Sequence, residues 1–320
     1  GLVRIPSLVE KCRELGQPAV GLTDISNLFA LPKFYRAARG KGIKPITGCE
    51  LRVESDSAVL ENYSLIALCQ DSMGYKNLCD LITRAHSVTT RTGEPLIAEE
   101  WLTETALQGL IILAGGLRSD LADFCKNKKL EHCSSRIEYW TRLLGDRYYI
   151  GISRTGREME ERYIDMISDI SQHIPLAFVA INDVCFIEEE DFEAHEARVC
   201  ISSGRTLNDP RRPRNYSREQ FLRSEKDMVE LFSDFPTALQ NSVSIAMRCN
   251  LELDFGSYHL PEFPVQQEKT VDELLRKRTS LALKTKIASV KTAVSETTDS
   301  SWNSYEQRLS RELDVIISMG

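Results

Sequence analysis

Six short apolar runs, most of them separated by segments of helical periodicity, constrain this chain more than anything else in it. They fall at 19–23, 43–47, 64–69, 109–113, 148–152 and 176–181. Each is apolar nearly throughout instead of alternating, as happens when a strand is covered on both faces. Between them lie helical patterns at 27–39, 75–85, 131–144 and 159–172, the last with Tyr163, Met166, Ile167 and Ile170 at i, i+3, i+4 and i+7. Strands joined by helices predict an α/β fold with a parallel sheet, closed as a β/α barrel whose site lies at the C-terminal strand ends. An open doubly wound sheet is the alternative, but no GxGxxG follows a first strand. Beyond residue 190 the pattern is helical, with a proline- and arginine-rich loop at 208–215, an extended linker at 255–264, a polar mobile loop at 292–301 and an amphipathic helix at 305–319.

Bulk properties exclude several classes. A net charge of −7 argues against a generally cationic nucleic-acid coat, so any such contact has to be local. No apolar run approaches the ~20 residues of a membrane span, which fits a cytoplasmic protein with no membrane partner. The nine cysteines include no CxxC pair, so a zinc ribbon is excluded by spacing. The chain starts without methionine and stops as a helix finishes, and is expected to be a piece of a longer polypeptide.

The strand mouths carry the polar residues. Asp24 closes the first run, Glu50 follows the second, and Asp183 follows the last. Three carboxylates at strand mouths could hold a hard cation such as Mg²⁺ or Mn²⁺. The favoured expectation is that Asp24 and Asp183 instead cap helices or bond turn amides, because imidazole is missing from these turns. Cys185 reads as a buried structural thiol and His195 as a hydrogen-bonded structural residue. Arg211, Arg212 and Arg214 sit in an arginine-rich stretch that could meet a phosphate backbone. Pairing within the chain, with the acidic run 188–196, or with an acidic neighbouring domain is the favoured reading.

The stretches GLTDISNLFALPKFYRAARGKGIKPITGCEL, MGYKNLCDLITRAH, INDVCFIEEEDFEAHEARVCISSGRTL and DPRRPRNYSREQFLRSEKDM resemble the N-terminal part of bacterial DNA polymerase III alpha subunits, the C-family replicative polymerases. The resemblance covers nearly the whole chain. It implies a distorted seven-stranded β/α barrel of the polymerase-and-histidinol-phosphatase (PHP) type over 1–262, lacking its opening His-x-His strand here. A linker and the first palm helices would then occupy 263–320. It implies that Ile25, Ser64, Thr155 and Cys185 stand where metal-binding members have histidine, and Gly116 where they have cysteine. Asp24, Glu50 and Asp183 would then be vestiges of a metal site.

The resemblance further implies template-directed DNA synthesis in the intact protein, with Mg²⁺ as its cofactor and its catalytic aspartates in the palm beyond residue 320. No catalytic residue and no cofactor are expected in the present stretch. Its role would be structural, docking the proofreading exonuclease (epsilon) subunit. Other replicase subunits and primer-template DNA would be partners of the full-length chain. Alanine at Asp24 or Asp183 is then expected to lower stability or partner binding and leave hydrolysis at background. The alternative is a metal-dependent phosphoesterase, either a 3′–5′ exonuclease or a pyrophosphatase.

Overall fold

The computed structural model describes residues 1–55, 62–88, 93–127, 129–257, 261, 263–265, 270–293 and 299–319. Much of the proposed linker at 255–264 and the centre of the loop at 292–301 therefore lie outside the described residues. The chain forms two compact units, Gly1–Leu253 and Asp254–Gly320.

In the first unit, β1 (Ala19–Ile25), β2 (Lys44–Glu54), β3 (Tyr63–Cys69), β4 (Ile97–Ala98), β5 (Leu110–Ala114), β6 (Tyr148–Ile152) and β7 (Phe178–Ala180) form one sheet. Its order is β1-β2-β3-β5-β6-β7, and β4 pairs with β2. The sheet is a half-barrel with helices around it. Among the described residues β1 and β7 pair on one side only.

The sheet is mixed, which corrects the expectation of parallel strands. β1–β2, β5–β6 and β6–β7 are parallel, but β3 runs antiparallel to both β2 and β5. Only residues 55–62 join β2 to β3, and a parallel crossover takes a dozen or more. The run read as ending near Thr47 continues to Glu54 and turns back on itself. The reversal puts Ser64, at the start of β3, near the same end as the C-terminus of β5, since Leu65 pairs with Ala114. Polar strand ends thus converge even though the strand directions do not agree.

Alternation along β5 shows how the two faces are used. Leu110, Ile112 and Ala114 join the large core under the outer helices, together with Trp140, Tyr163 and Leu78. Ile111 and Leu113 point the other way, into a smaller cluster with Ile46, Leu68, Tyr149, Val179 and Ile245. The outer helices are α3 (Ser72–Ser87), α4 (Asp120–Lys126), α5 (Leu130–Leu144) and α6 (Glu160–Ser171). α1 (Ile5–Glu14) and α2 (Leu31–Gly40) pack with Leu222 as a third cluster beside β1. The helix read over 27–39 begins only at Leu31, because 27–30 form a turn in which Asn27 Oδ1 accepts from Phe29 N.

α3 starts where two glycines touch. A Cβ on Gly74 would collide with the carbonyl oxygen of Gly109, so the helix can approach β5 this closely only with glycine there. α7 (Phe192–Ser202), α8 (Glu225–Leu231) and α9 (Pro236–Arg248) complete the unit. Lys44 Nζ donates to Ala246 O and to Asn250 Oδ1, which ties the end of α9 to β2. The second unit is an antiparallel pair, α10 (Val271–Ala293) and α11 (Asp299–Met319), with Arg276 bonded to Asp314.

Candidate functional site

The strand mouths bring together what the sequence placed far apart, along with two arginines that sequence reasoning passed over. Glu50 is buried on β2, and both of its oxygens accept from Arg118, Nε to Oε1 and Nη2 to Oε2, each at 3.0 Å. The same Nη2 lies 3.3 Å from Asp183 Oδ1. The other Asp183 oxygen lies 3.0 Å from Arg157 Nη1. Gln220 Nε2 adds a bond of 3.2 Å to that oxygen. Burial opposes the charge on Arg118, but Asp183 and Glu50 together raise its pKa above the ordinary value.

Arg157 continues the chain of charges inward. It donates to Thr155 Oγ1 at 2.9 Å and to Glu160 Oε1 at 2.9 Å. Glu160 is 2% exposed and also accepts from Ser153 Oγ at 2.9 Å and Thr155 Oγ1 at 2.8 Å. A buried carboxylate is tolerated because every approach to it carries a donor. Glu50, Arg118, Asp183, Arg157 and Glu160 thus form one ion-pair belt from β2 past the ends of β5 and β6 to the turn after β7. A signal for it existed in the sequence. Arg118 stands two residues beyond Gly116, and Arg157 two beyond Thr155, in the turns already singled out.

The carboxylates do not play the roles expected of them. Neither Asp24 nor Asp183 caps a helix: Asp183 is held by arginines and Gln220, and Asp24 makes no ion pair among the described residues. Burial alone raises the Asp24 pKa. An acid whose folded pKa is raised contributes stability below its unfolded pKa and loses it as pH rises through the folded one. The two aspartates therefore separate: Asp183 is held by cations and, among the described residues, Asp24 is not. Asp24→Asn is expected to raise stability at pH 7 by less than about 1 kcal/mol, with the gain shrinking toward pH 4. Urea titrations at both pH values check this.

The remaining residues fall around this rim. Ser64 and Thr155 are buried, and Ile25 is 51% exposed. Gly116 is buried with φ +58°, one of the turns that needs glycine. Cys185 accepts from Gln220 Nε2 at 3.4 Å, and burial lifts its thiol to about 11. His195 is buried edge-on against Tyr216, with ring centroids 4.6 Å apart, and burial lowers its pKa. The hydrogen bond expected for it is not found at Nδ1, which has no partner among the described residues. Arg212 pairs with Glu196, Arg211 with Asp209, and Arg214 is exposed.

A metal cluster fits this donor set poorly. Two of the three carboxylates already hold guanidinium groups, and among the described residues no group of three His, Cys, Asp or Glu side chains is placed to share an ion. Residues 1–155 match the model of the PHP domain family. This chain carries a PHP domain. The chain is 39% identical over 322 residues to DNA polymerase III subunit alpha of Pseudomonas aeruginosa. It is 40% identical over 320 residues to the proteins of that name from Vibrio cholerae and Escherichia coli. In each case 100% of this chain aligns with 27% of the relative. The chain thus spans about a quarter of the length of the curated relatives it matches. The span matched to the PHP domain contains Asp24, Glu50 and Arg118 but stops short of Asp183.

Proposed function

We propose that this chain is the N-terminal region of a DNA polymerase III alpha subunit. Its PHP domain would be a metal-free structural element in which Arg118 stands where a cation would be needed. One observation carries this reading: a single guanidinium group is bonded to both oxygens of Glu50 and to Asp183. A fixed side-chain cation neutralises the carboxylates, leaves no open position for a water or a substrate oxygen, and ties β2 to the turn after β7. A hydrolytic ion needs such an open position.

Similarity along the whole chain supports template-directed DNA synthesis, with Mg²⁺, as the work of the full-length protein. It also supports primer-template DNA and other replicase subunits as that protein's partners and the cytoplasm as its place. On this reading residues 1–262 belong to the PHP domain, and 263–320 are the linker and first palm helices. The PHP domain's own task would be to buttress the palm and dock the proofreading exonuclease subunit. Co-elution of the purified exonuclease with this chain tests the docking.

Metal analysis tests the rim. After dialysis against Mn²⁺ or Zn²⁺, the chain is expected to retain well under one equivalent and to leave single-stranded DNA 3′ ends intact. Arg118→Ala is expected to lower stability by about 1–3 kcal/mol, below the range for a fully buried pair because Arg118 keeps 42% of its side chain accessible. Stoichiometric metal together with chelator-sensitive 3′-end cleavage by the unaltered chain would favour the phosphoesterase instead.

A further inference from the structure

The turn between β1 and α2 is held more firmly than a connection needs. Ser26 is buried and, among the described residues, is the one non-glycine residue with positive φ, at +52°. A backbone in that region is strained and persists only where its surroundings over-determine it. Here they do. Ser26 N donates to Glu50 O, and His86 Nε2 of α3 donates to Ser26 O, both at 2.9 Å. Asn27 Nδ2 donates to Ile25 O at 2.9 Å, and Phe29 N donates to Asn27 Oδ1 at 3.1 Å. The turn fixed in this way holds two large apolar side chains in solvent, Ile25 half-exposed and Phe29 85% exposed.

Cationic charge adjoins them. α2 contains Lys33, Arg36 and Arg39 and no acid. Leu31, Phe34, Tyr35 and Ala38 are buried, whereas the three basic residues are exposed. At 3.6 residues per turn those three fall within about a third of the helix circumference, on the side away from the buried set. Ile25, Phe29 and Lys33 border the same cavity.

We propose that the 25–30 turn and the exposed side of α2 form one docking surface, met by a protein that presents an apolar socket ringed with carboxylates. The partner is taken to be the exonuclease subunit. Docking as such rests on the proposed function, while its place and chemistry rest on this turn. A protein suits these side chains better than nucleic acid or lipid. Ile25 has no ring to stack on a base, and stacking is what single strands offer to apolar groups. The apolar side of α2 lies in the core, so only two side chains could enter a bilayer, too few for an interfacial helix. An aromatic anchor fixed before contact loses little freedom on binding, which is how protein interfaces gain affinity from few residues.

The test is biolayer interferometry of the whole chain against immobilised, purified exonuclease subunit at low and at physiological salt. Phe29→Ser is expected to weaken binding on the order of a hundredfold at either salt. Lys33→Gln with Arg36→Gln should weaken it by about three- to tenfold, mainly through the association rate, and flatten the salt dependence. The substituted side chains are exposed, so both variants should melt as the parent does. Ile201→Ser, on α7 and comparably exposed, should bind as the parent does. Undiminished binding by Phe29→Ser overturns the proposed surface and leaves docking intact, whereas a parent that does not bind removes both. Loss of binding in Ile201→Ser in place of Phe29→Ser also overturns it. So does Phe29-dependent binding of the chain alone to a single-stranded oligonucleotide or to phosphatidylserine vesicles, which would reassign the surface to nucleic acid or lipid.

Discussion

Arg136→Met is expected to destabilise the first unit by about 3–5 kcal/mol, the range for removing one partner of a buried ion pair. Arg136 Nε lies 2.6 Å from Oδ2 of Asp120, which is 0% exposed, and Nη1 lies 2.5 Å from Glu99 Oε1. Its Nη2 also donates to the Tyr63 hydroxyl, and its plane lies 4.9 Å from the Trp140 ring centroid. Methionine keeps a stem to cover those rings and removes only the charge and its donors. Asp120 would then keep Trp140 Nε1 at 3.1 Å and Leu121 N at 2.9 Å, but no cation. Urea denaturation followed by circular dichroism measures the loss. Adding Asp120→Asn should recover part of it, since the stranded charge is the main cost. A loss below about 1 kcal/mol would mean that the rings, and not the ion pair, hold this junction of β3, α4 and α5.

Glu160→Ala is expected to cost a similar amount, about 3–5 kcal/mol, and to act at the rim. It removes the acceptor shared by Ser153, Thr155 and Arg157, all of which are at most partly exposed. Buried hydroxyls left without a partner add their own desolvation cost. Glu160→Gln keeps an oxygen for the hydroxyl groups while losing the charge, so it should fall between parent and alanine. Thermal melts of the three proteins give the order. Equal melting of all three would show that the belt contributes nothing to the PHP domain's stability, and the structural reading of the rim would lose its main support.

Much of the fold was legible because burial on two faces leaves a mark on composition. The runs at 109–113 and 148–152 are apolar at successive positions, and they became β5 and β6 with little shift. Strand direction left no such mark. The residues of β3 would be equally apolar in either orientation, and the reversal is set by the short 55–62 connection. Helix starts were blurred in the same way: Leu28 stands at helical spacing from Leu31 and Tyr35, while Asn27 beside it bonds the local backbone. The short α4 and β4 escaped notice, being too brief for periodicity to register.

What the sequence determined by itself is the composition of the rim. Strand-end turns with acids and without histidine are a matter of residue identity, and no packing can supply a missing imidazole. Only the tertiary structure decided what those acids do. Arg118 and Arg157 are each separated from Asp183 by many residues of intervening chain, and long side chains find partners by distance in space. Glu50 and Asp183 became a neutralised belt and Asp24 a lone charge because the sheet brings a guanidinium group within 3.3 Å of the first two, while among the described residues Asp24 forms no ion pair.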